Sequence, residues 1–270
     1  MKPLIFTILS LLIQQNIFAQ TDSAQYYLAE GNKKVESGLF NAAQKDFEKS
    51  IALNPSFTEA YMASGRVDMK MNRIYQAGQN FNKAYELEPG NKDIIKSLME
   101  WNFNNHQHKK AIEFAEKCAC EESDRIIGTS YYRLENYGKA EPLLKKALEK
   151  NPKDGEAAYA LARTYMELED NKSTITYYQM AVEANPERSN WQYELALLYY
   201  NINDYKNSLK CFEGAVKAGY RQDNDFLENM GFCQLYAGNV DSAMKSLNEV
   251  MERKPNNISL MTDIAYAMYS

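Results

Sequence analysis

Small and bulky apolar residues return along this chain at fixed distances before its prolines. Twenty-four residues before Pro55, Pro89, Pro152, Pro186 and Pro255 stand Gly31, Gly65, Gly128, Ala162 and Gly231. Twelve before stand Ala43, Ala77, Ala140, Thr174 and Ala243, and five before stand Ser50, Ala84, Ala147, Ala181 and Val250. Eight before stand the bulky residues Phe47, Phe81, Leu144, Tyr178 and Leu247. The small residues fall on two successive helical segments. This predicts pairs of antiparallel helices whose backbones approach closely where they cross, with the bulky residues filling the space beyond. Proline cannot continue a helix, and the residue before it avoids the helical region. Each proline therefore stops the second helix of one pair and resets the chain for the next.

The prolines also give the period. Pro55 to Pro89 is 34 residues, Pro152 to Pro186 is 34, and Pro186 to Pro255 is 69, two units plus one residue. A helix–turn–helix unit of 34 residues repeated in register resembles the tetratricopeptide repeat. The resemblance covers about residues 24 to 270, in repeats near 24–57, 58–91, 92–120, 121–154, 155–188, 189–222 and 224–257, with a half repeat at 258–270. Two copies are degenerate. One has Met99 where its first helix should carry a small residue and runs about five residues short; the other has Tyr220 where proline would stand. The resemblance implies an all-α, right-handed superhelical solenoid occupying residues 20–270. One helix pair cannot bury its apolar face alone, whereas stacked pairs share a continuous core.

The resemblance further implies that the first helices line a concave face on which ligands lie. Residues 27, 23 and 20 before each proline position step by four and three, so they share one side of the first helix. The first of these positions holds Arg125, Tyr159 and Tyr193; the second holds Asn32, Arg66, Arg163, Phe232 and Tyr266; the third holds Tyr132 and Tyr200. Tyrosine and arginine are the residues that anchor binding hot spots. These ten residues are the expected peptide-binding groove. Some family members clamp a chaperone tail's carboxylate there with Lys, Asn and Arg from three adjacent first helices. This chain keeps the asparagine, Asn32, but has Leu28, Ala63, Asp93 and Ser97 at the other clamp positions. The clamp is therefore absent.

The first nineteen residues differ in kind. Lys2, an apolar run from Pro3 to Ile13 and small Ala19 read as a secretory signal peptide, with cleavage before Gln20. The run breaks at Gln14, short of the ~20 apolar residues of a membrane span. Loss of Lys2 takes the net charge from −5 to −6. That acidity, with no basic cluster longer than a pair, argues against nucleic acid as a partner. The expected location is periplasmic or secreted.

Chemistry is sparse. The two histidines, His106 and His108, tempt one to draw a metal site with Cys118 and Cys120. Ten residues of helix between His108 and Cys118 span ~15 Å, far beyond the ~2.3 Å reach of a zinc ligand. Cys118 and Cys120, two apart on one helix, should point away from each other and not pair. Cys211 and Cys233 fall on neighbouring helices where a disulfide is possible, with buried free thiols the expected state. No phosphate loop, nucleophile elbow or zinc-protease motif is present. No enzyme, cofactor or metal is expected. The reading is a non-enzymatic protein–protein interaction scaffold that holds a peptide or protein segment. The alternative is a self-assembling or accessory subunit of an envelope complex. Residues 258–270 bear on that alternative. They form a first helix apolar nearly all round, with Met261, Ile264, Ala265 and Met268 as the stripe expected to pack on the preceding repeat. A helix of this kind is normally buried, so a cover is expected, whether a second helix of a longer chain, a partner or a second copy, and self-association through this end is the expected outcome.

Overall fold

A computed structural model describes residues 22–269; the predicted signal peptide lies outside them. The described residues form fifteen helices and no strand. They are α1 (22–36), α2 (Phe40–Leu53), α3 (Thr58–Lys70), α4 (Ile74–Leu87), α5 (Lys92–Asn104), α6 (His108–Cys118) and α7 (Ser123–Arg133). There follow α8 (Tyr137–Lys150), α9 (Gly155–Glu167), α10 (Asn171–Ala184), α11 (Ser189–Asn201), α12 (Tyr205–Lys217), α13 (Asn224–Tyr236), α14 (Val240–Arg253) and α15 (Ile258–Tyr269). The chain forms two compact units that meet within α7, between Ile126 and Ile127.

The expected pairing is present in both units: α3 packs on α4 and α5 on α6 in the first, and α9 on α10, α11 on α12 and α13 on α14 in the second. Close approach at the crossings explains the small residues. A Cβ added to Gly65 would come 2.6 Å from the Phe81 ring, and one on Gly231 would come 2.6 Å from Leu247. Phe47, Leu144 and Tyr178 are likewise fully buried at the bulky position. In the short repeat the sizes are exchanged. Met99 on α5 and Ala115 on α6, both fully buried, put the bulk on the first helix and the small residue on the second.

The turn inside each pair carries one residue in the left-handed region: Gly38, Asn72, His106, Glu135, Glu169, Asn203 and Gly238. Their spacing of 34, 34, 29, 34, 34 and 35 residues is a second ruler, independent of the prolines. It places the five-residue deletion between His106 and Glu135, where α6 and α7 are each 11 residues long against 14 in α4 and 13 in α5. Six helices are capped by the Asn or Asp that precedes them: Asn91, Asn136, Asp154, Asp170, Asp204 and Asp223 each accept a hydrogen bond from a backbone N–H of the first turn, whereas Asn239 before α14 does not.

Two expectations are corrected. Cys118 and Cys120 form a disulfide, with their Cα atoms 5.2 Å apart. The error was to place both on one helix. Helix α6 ends at Cys118, and Ala119 adopts the left-handed conformation, φ 46° and ψ 36°, which turns Cys120 back beside it. Cys211 and Cys233 are free thiols. The second correction concerns α15. Its buried residues are Leu260 and Ile264, which join the core of Phe226, Leu247 and Val250. Met261, Ala265 and Met268 lie on the exposed side. Ala265 holds the small position that elsewhere turns toward the second helix of its own pair; among the described residues no second helix follows α15.

Candidate functional site: first-helix faces of the two units

In the first unit, the first helices enclose a pocket of about 320 Å³. Leu28 and Asn32 come from α1, Met62, Ala63 and Arg66 from α3, and Asp93 and Ile94 from the start of α5. The floor is apolar. Asn32 and Arg66 are exposed above it and make no hydrogen bond or ion pair with the described residues. Glu59 and Asp93 complete the wall. The start of α5 is well fixed. The Asn91 side chain accepts from the Asp93 N–H at 3.0 Å and donates to Glu88 at 2.8 Å. Hydrogen bonds from Asn91 and Thr58 hold the Glu88 carboxyl below its ordinary value. Four residues of the missing clamp positions, Leu28, Asn32, Ala63 and Asp93, thus line one pocket, and Arg66 supplies the cation.

In the second unit the same face is occupied by its own side chains. Arg163 Nε donates to the Tyr132 hydroxyl at 3.3 Å, and its Nη1 lies 3.7 Å from Glu194 Oε2. The Tyr159 and Tyr178 hydroxyls donate to the same carboxylate oxygen at 3.0 and 2.6 Å. The Tyr159 ring stacks on Trp191 with centroids 4.6 Å apart and planes 11° from parallel. Burial, then the Glu194 charge, pushes the Tyr159 hydroxyl up to about 12. Burial and its hydrogen bond to Glu194 raise Tyr178 as well.

The other expected groove residues are dispersed. Tyr193 stacks on Tyr220 at 4.6 Å and accepts from Asn229 at 3.0 Å. Tyr200 packs edge-on against Tyr205, and burial pushes its hydroxyl up to about 12. Phe232 is half-buried beside the core of α12 to α14. Arg125 is half-buried at the start of α7, and Tyr266 is 74% exposed on α15. Sequence reasoning missed Glu194, Tyr178 and Trp191. Tyr178 was assigned wholly to packing, yet its hydroxyl reaches the network. Glu194 sits one residue past an expected face position, and that adjacency was the available signal.

The comparisons with known proteins agree with this architecture. Tetratricopeptide-repeat models match residues 58–91, 131–198 and 193–258. No curated protein matches the chain. A tetratricopeptide repeat protein from Parabacteroides merdae is similar in structure, with TM-score 0.64 and 14% identity over 92% of this chain and 100% of that one. PilW, described as a widely conserved type IV pilus biogenesis factor, is similar with TM-score 0.52 and 14% identity over 89% of this chain and 98% of that one. A MamA structure is similar with TM-score 0.52 and 17% identity over 60% of this chain and 96% of that one. With the 34-residue period, the close helix crossings and the paired helices, these matches show that the chain belongs to the tetratricopeptide-repeat family.

Proposed function

We propose that this protein is a non-enzymatic scaffold that binds an extended protein or peptide segment outside the cytoplasm, anchoring it in the pocket of α1, α3 and α5. The observation that carries the reading is Arg66. It is an unpartnered guanidinium beside an asparagine amide, over a floor of Leu28, Met62 and Ile94. This combination fits an acidic group next to an apolar side chain. Guanidinium pairs with carboxylate through charge-assisted hydrogen bonds, and the floor takes the apolar neighbour; Glu59 and Asp93 on the wall repel an acidic group everywhere but at Arg66, so they confine it to the guanidinium. The charged N-terminus, apolar run and Ala19 support export. Selection from a displayed peptide library, followed by calorimetry, tests the binding. Selected peptides should combine acidic and apolar residues, and Arg66→Glu should weaken them at least about tenfold. Peptides that bind Arg66→Glu unchanged would remove the pocket from the function. N-terminal sequencing of the exported protein should begin at Gln20.

A second reading, self-association through α15, is favoured by one further observation. Ile258, Met261, Thr262, Ala265 and Tyr266 line an apolar hollow of about 490 Å³. At the Ala265 position the other pairs, except α5 with α6 where the sizes are exchanged, receive a bulky side chain from the second helix. Among the described residues this socket is open, while Ile258 and Tyr266, 75% and 74% exposed, are uncovered bulky residues on the same helix. One copy offers both halves of the contact, so a second copy can supply what the first lacks. Light scattering coupled to size exclusion should report a dimer that Met261→Lys with Tyr266→Glu converts to monomer. A monomer at tens of micromolar in the unsubstituted protein ends this reading.

A further inference from the structure

The opposite side of the first unit carries a second pocket that the groove reading does not use. It lies between α2 and α4, with α3 behind it, and measures about 540 Å³. Its depth is polar. Ser64 and Asp68 are 1% exposed and Gln44 is 7% exposed. The amide N–H groups there are spent on one another's neighbours. Gln44 Nε2 donates to Ser64 Oγ at 2.7 Å, and Asn80 Nδ2 donates to Ser64 Oγ and to Asp68 Oδ2, each at 2.9 Å. What remains, besides the Ser64 hydroxyl proton, is acceptors. Gln44 Oε1 is buried with no hydrogen-bond partner. The Asp68 carboxylate has no cation within ion-pair distance among the described residues and accepts only from Asn80. Glu48 stands at the rim and the half-buried Tyr61 ring forms part of the wall.

A buried acceptor without a donor, next to a buried carboxylate without a cation, is unfavourable unless a ligand completes it. We infer that this pocket binds the cationic side chain of a protein segment, a lysine ammonium or an arginine guanidinium, with Asp68 and Gln44 as its acceptors. Both ions bring only donors, which is what the floor lacks. Tyr61 in the wall adds an aromatic ring, a group that such cations favour. Arg73 also lines the pocket, but its guanidinium is held at the edge by Asn41, at 3.0 Å. Glu48 and Asp68 against Arg73 leave one net negative charge in the lining. Burial raises the Asp68 carboxyl above its ordinary value, and the Asn80 hydrogen bond and the more distant Arg73 charge only partly offset it.

The test follows the side-chain amide resonances of Gln44 and Asn80 by NMR in the full-length protein. The probes are methylguanidinium and an acetylated, amidated Gly-Arg-Gly peptide, with tetramethylammonium as a cation that has no donors. Saturable shifts with the first two and none with the third are expected. The Asp68→Asn variant keeps the shape and should weaken both probes at least about tenfold. Arg73→Gln removes the like charge and should tighten them severalfold. Arg66→Glu, in the other pocket, should change neither, so this site and the groove fail separately. Equal shifts from tetramethylammonium would overturn the inference. So would unchanged binding to a folded Asp68→Asn variant, or weaker binding to Arg73→Gln. If the peptide binds and methylguanidinium does not, the side-chain assignment is wrong.

Discussion

Arg66 and Arg163 occupy the same position in their repeats, 23 residues before the proline, yet their chemistry is opposite. Arg66 is exposed above a pocket, with no hydrogen bond or ion pair among the described residues. Arg163 is held by Tyr132 and Glu194. The difference comes from the adjacent first helices. The position that carries Tyr132 in the preceding repeat of the second unit carries Val35 in the first. The position that carries Glu194 in the following repeat carries Ser97. Valine has no hydroxyl and serine no charge, so Arg66 finds no partner. An arginine on this face becomes a binding group or a structural one according to what its neighbours supply. An ion pair satisfied internally has little left for a ligand.

The largest test of the architecture beneath this comparison is at the crossings. Gly65→Leu should destabilise the first unit by about 3 kcal/mol, because its side chain must displace the Phe81 ring. Ala265→Leu, at the same repeat position but with an open socket, should stay within about 0.5 kcal/mol. Chemical denaturation distinguishes them, and equal midpoint shifts would break the assignment of Ala265 to the uncovered side.

The two arginine environments should differ next. Glu194→Gln removes the charge that holds Arg163 and two tyrosine hydroxyls, and should cost about 2 kcal/mol. Arg66→Gln removes a cation with no partner and should stay within about 0.5 kcal/mol. Similar losses would show that Arg163 is no more structural than Arg66. The comparison sharpens with Ser97→Glu, which places in the first unit the carboxylate that Arg163 has in the second. Stability should hardly move, while affinity for groove peptides should fall about tenfold as Arg66 becomes occupied. Unchanged affinity would separate Arg66 from binding.

The smallest effects are those of pH. Tyr159 in its folded site is pushed up to about 12, and Tyr178 is raised too, by burial and by Glu194. Their folded forms hold protons more tightly than the unfolded chain does. That stability is full below about pH 10 and is lost as pH rises through the folded values. Asp68 in the first unit is raised by burial, so its contribution is lost as pH rises through the carboxylate range. Asp68→Asn should therefore raise the melting temperature at neutral pH and flatten the acid-side change. A melting temperature that falls instead would mean the ionised carboxylate is satisfied in the fold.

The 34-residue period, the helix pairing, the stopping prolines and the small-against-bulky crossings were determined by sequence alone. They rest on local backbone preference and on one apolar pattern repeated in register. Such signals survive because every copy must solve the same packing problem. Only the tertiary structure decided which face residues are free. Tyr193 is spent on Tyr220, Arg163 on Glu194, and Met261 is exposed where Leu260 packs. It also decided the disulfide, since one left-handed residue at Ala119 brings together two cysteines that a continuous helix would separate. A side chain's position on a helix follows from its number in the repeat. Whether it is satisfied depends on residues about 34 positions away, brought into reach only by the stacking of the repeats.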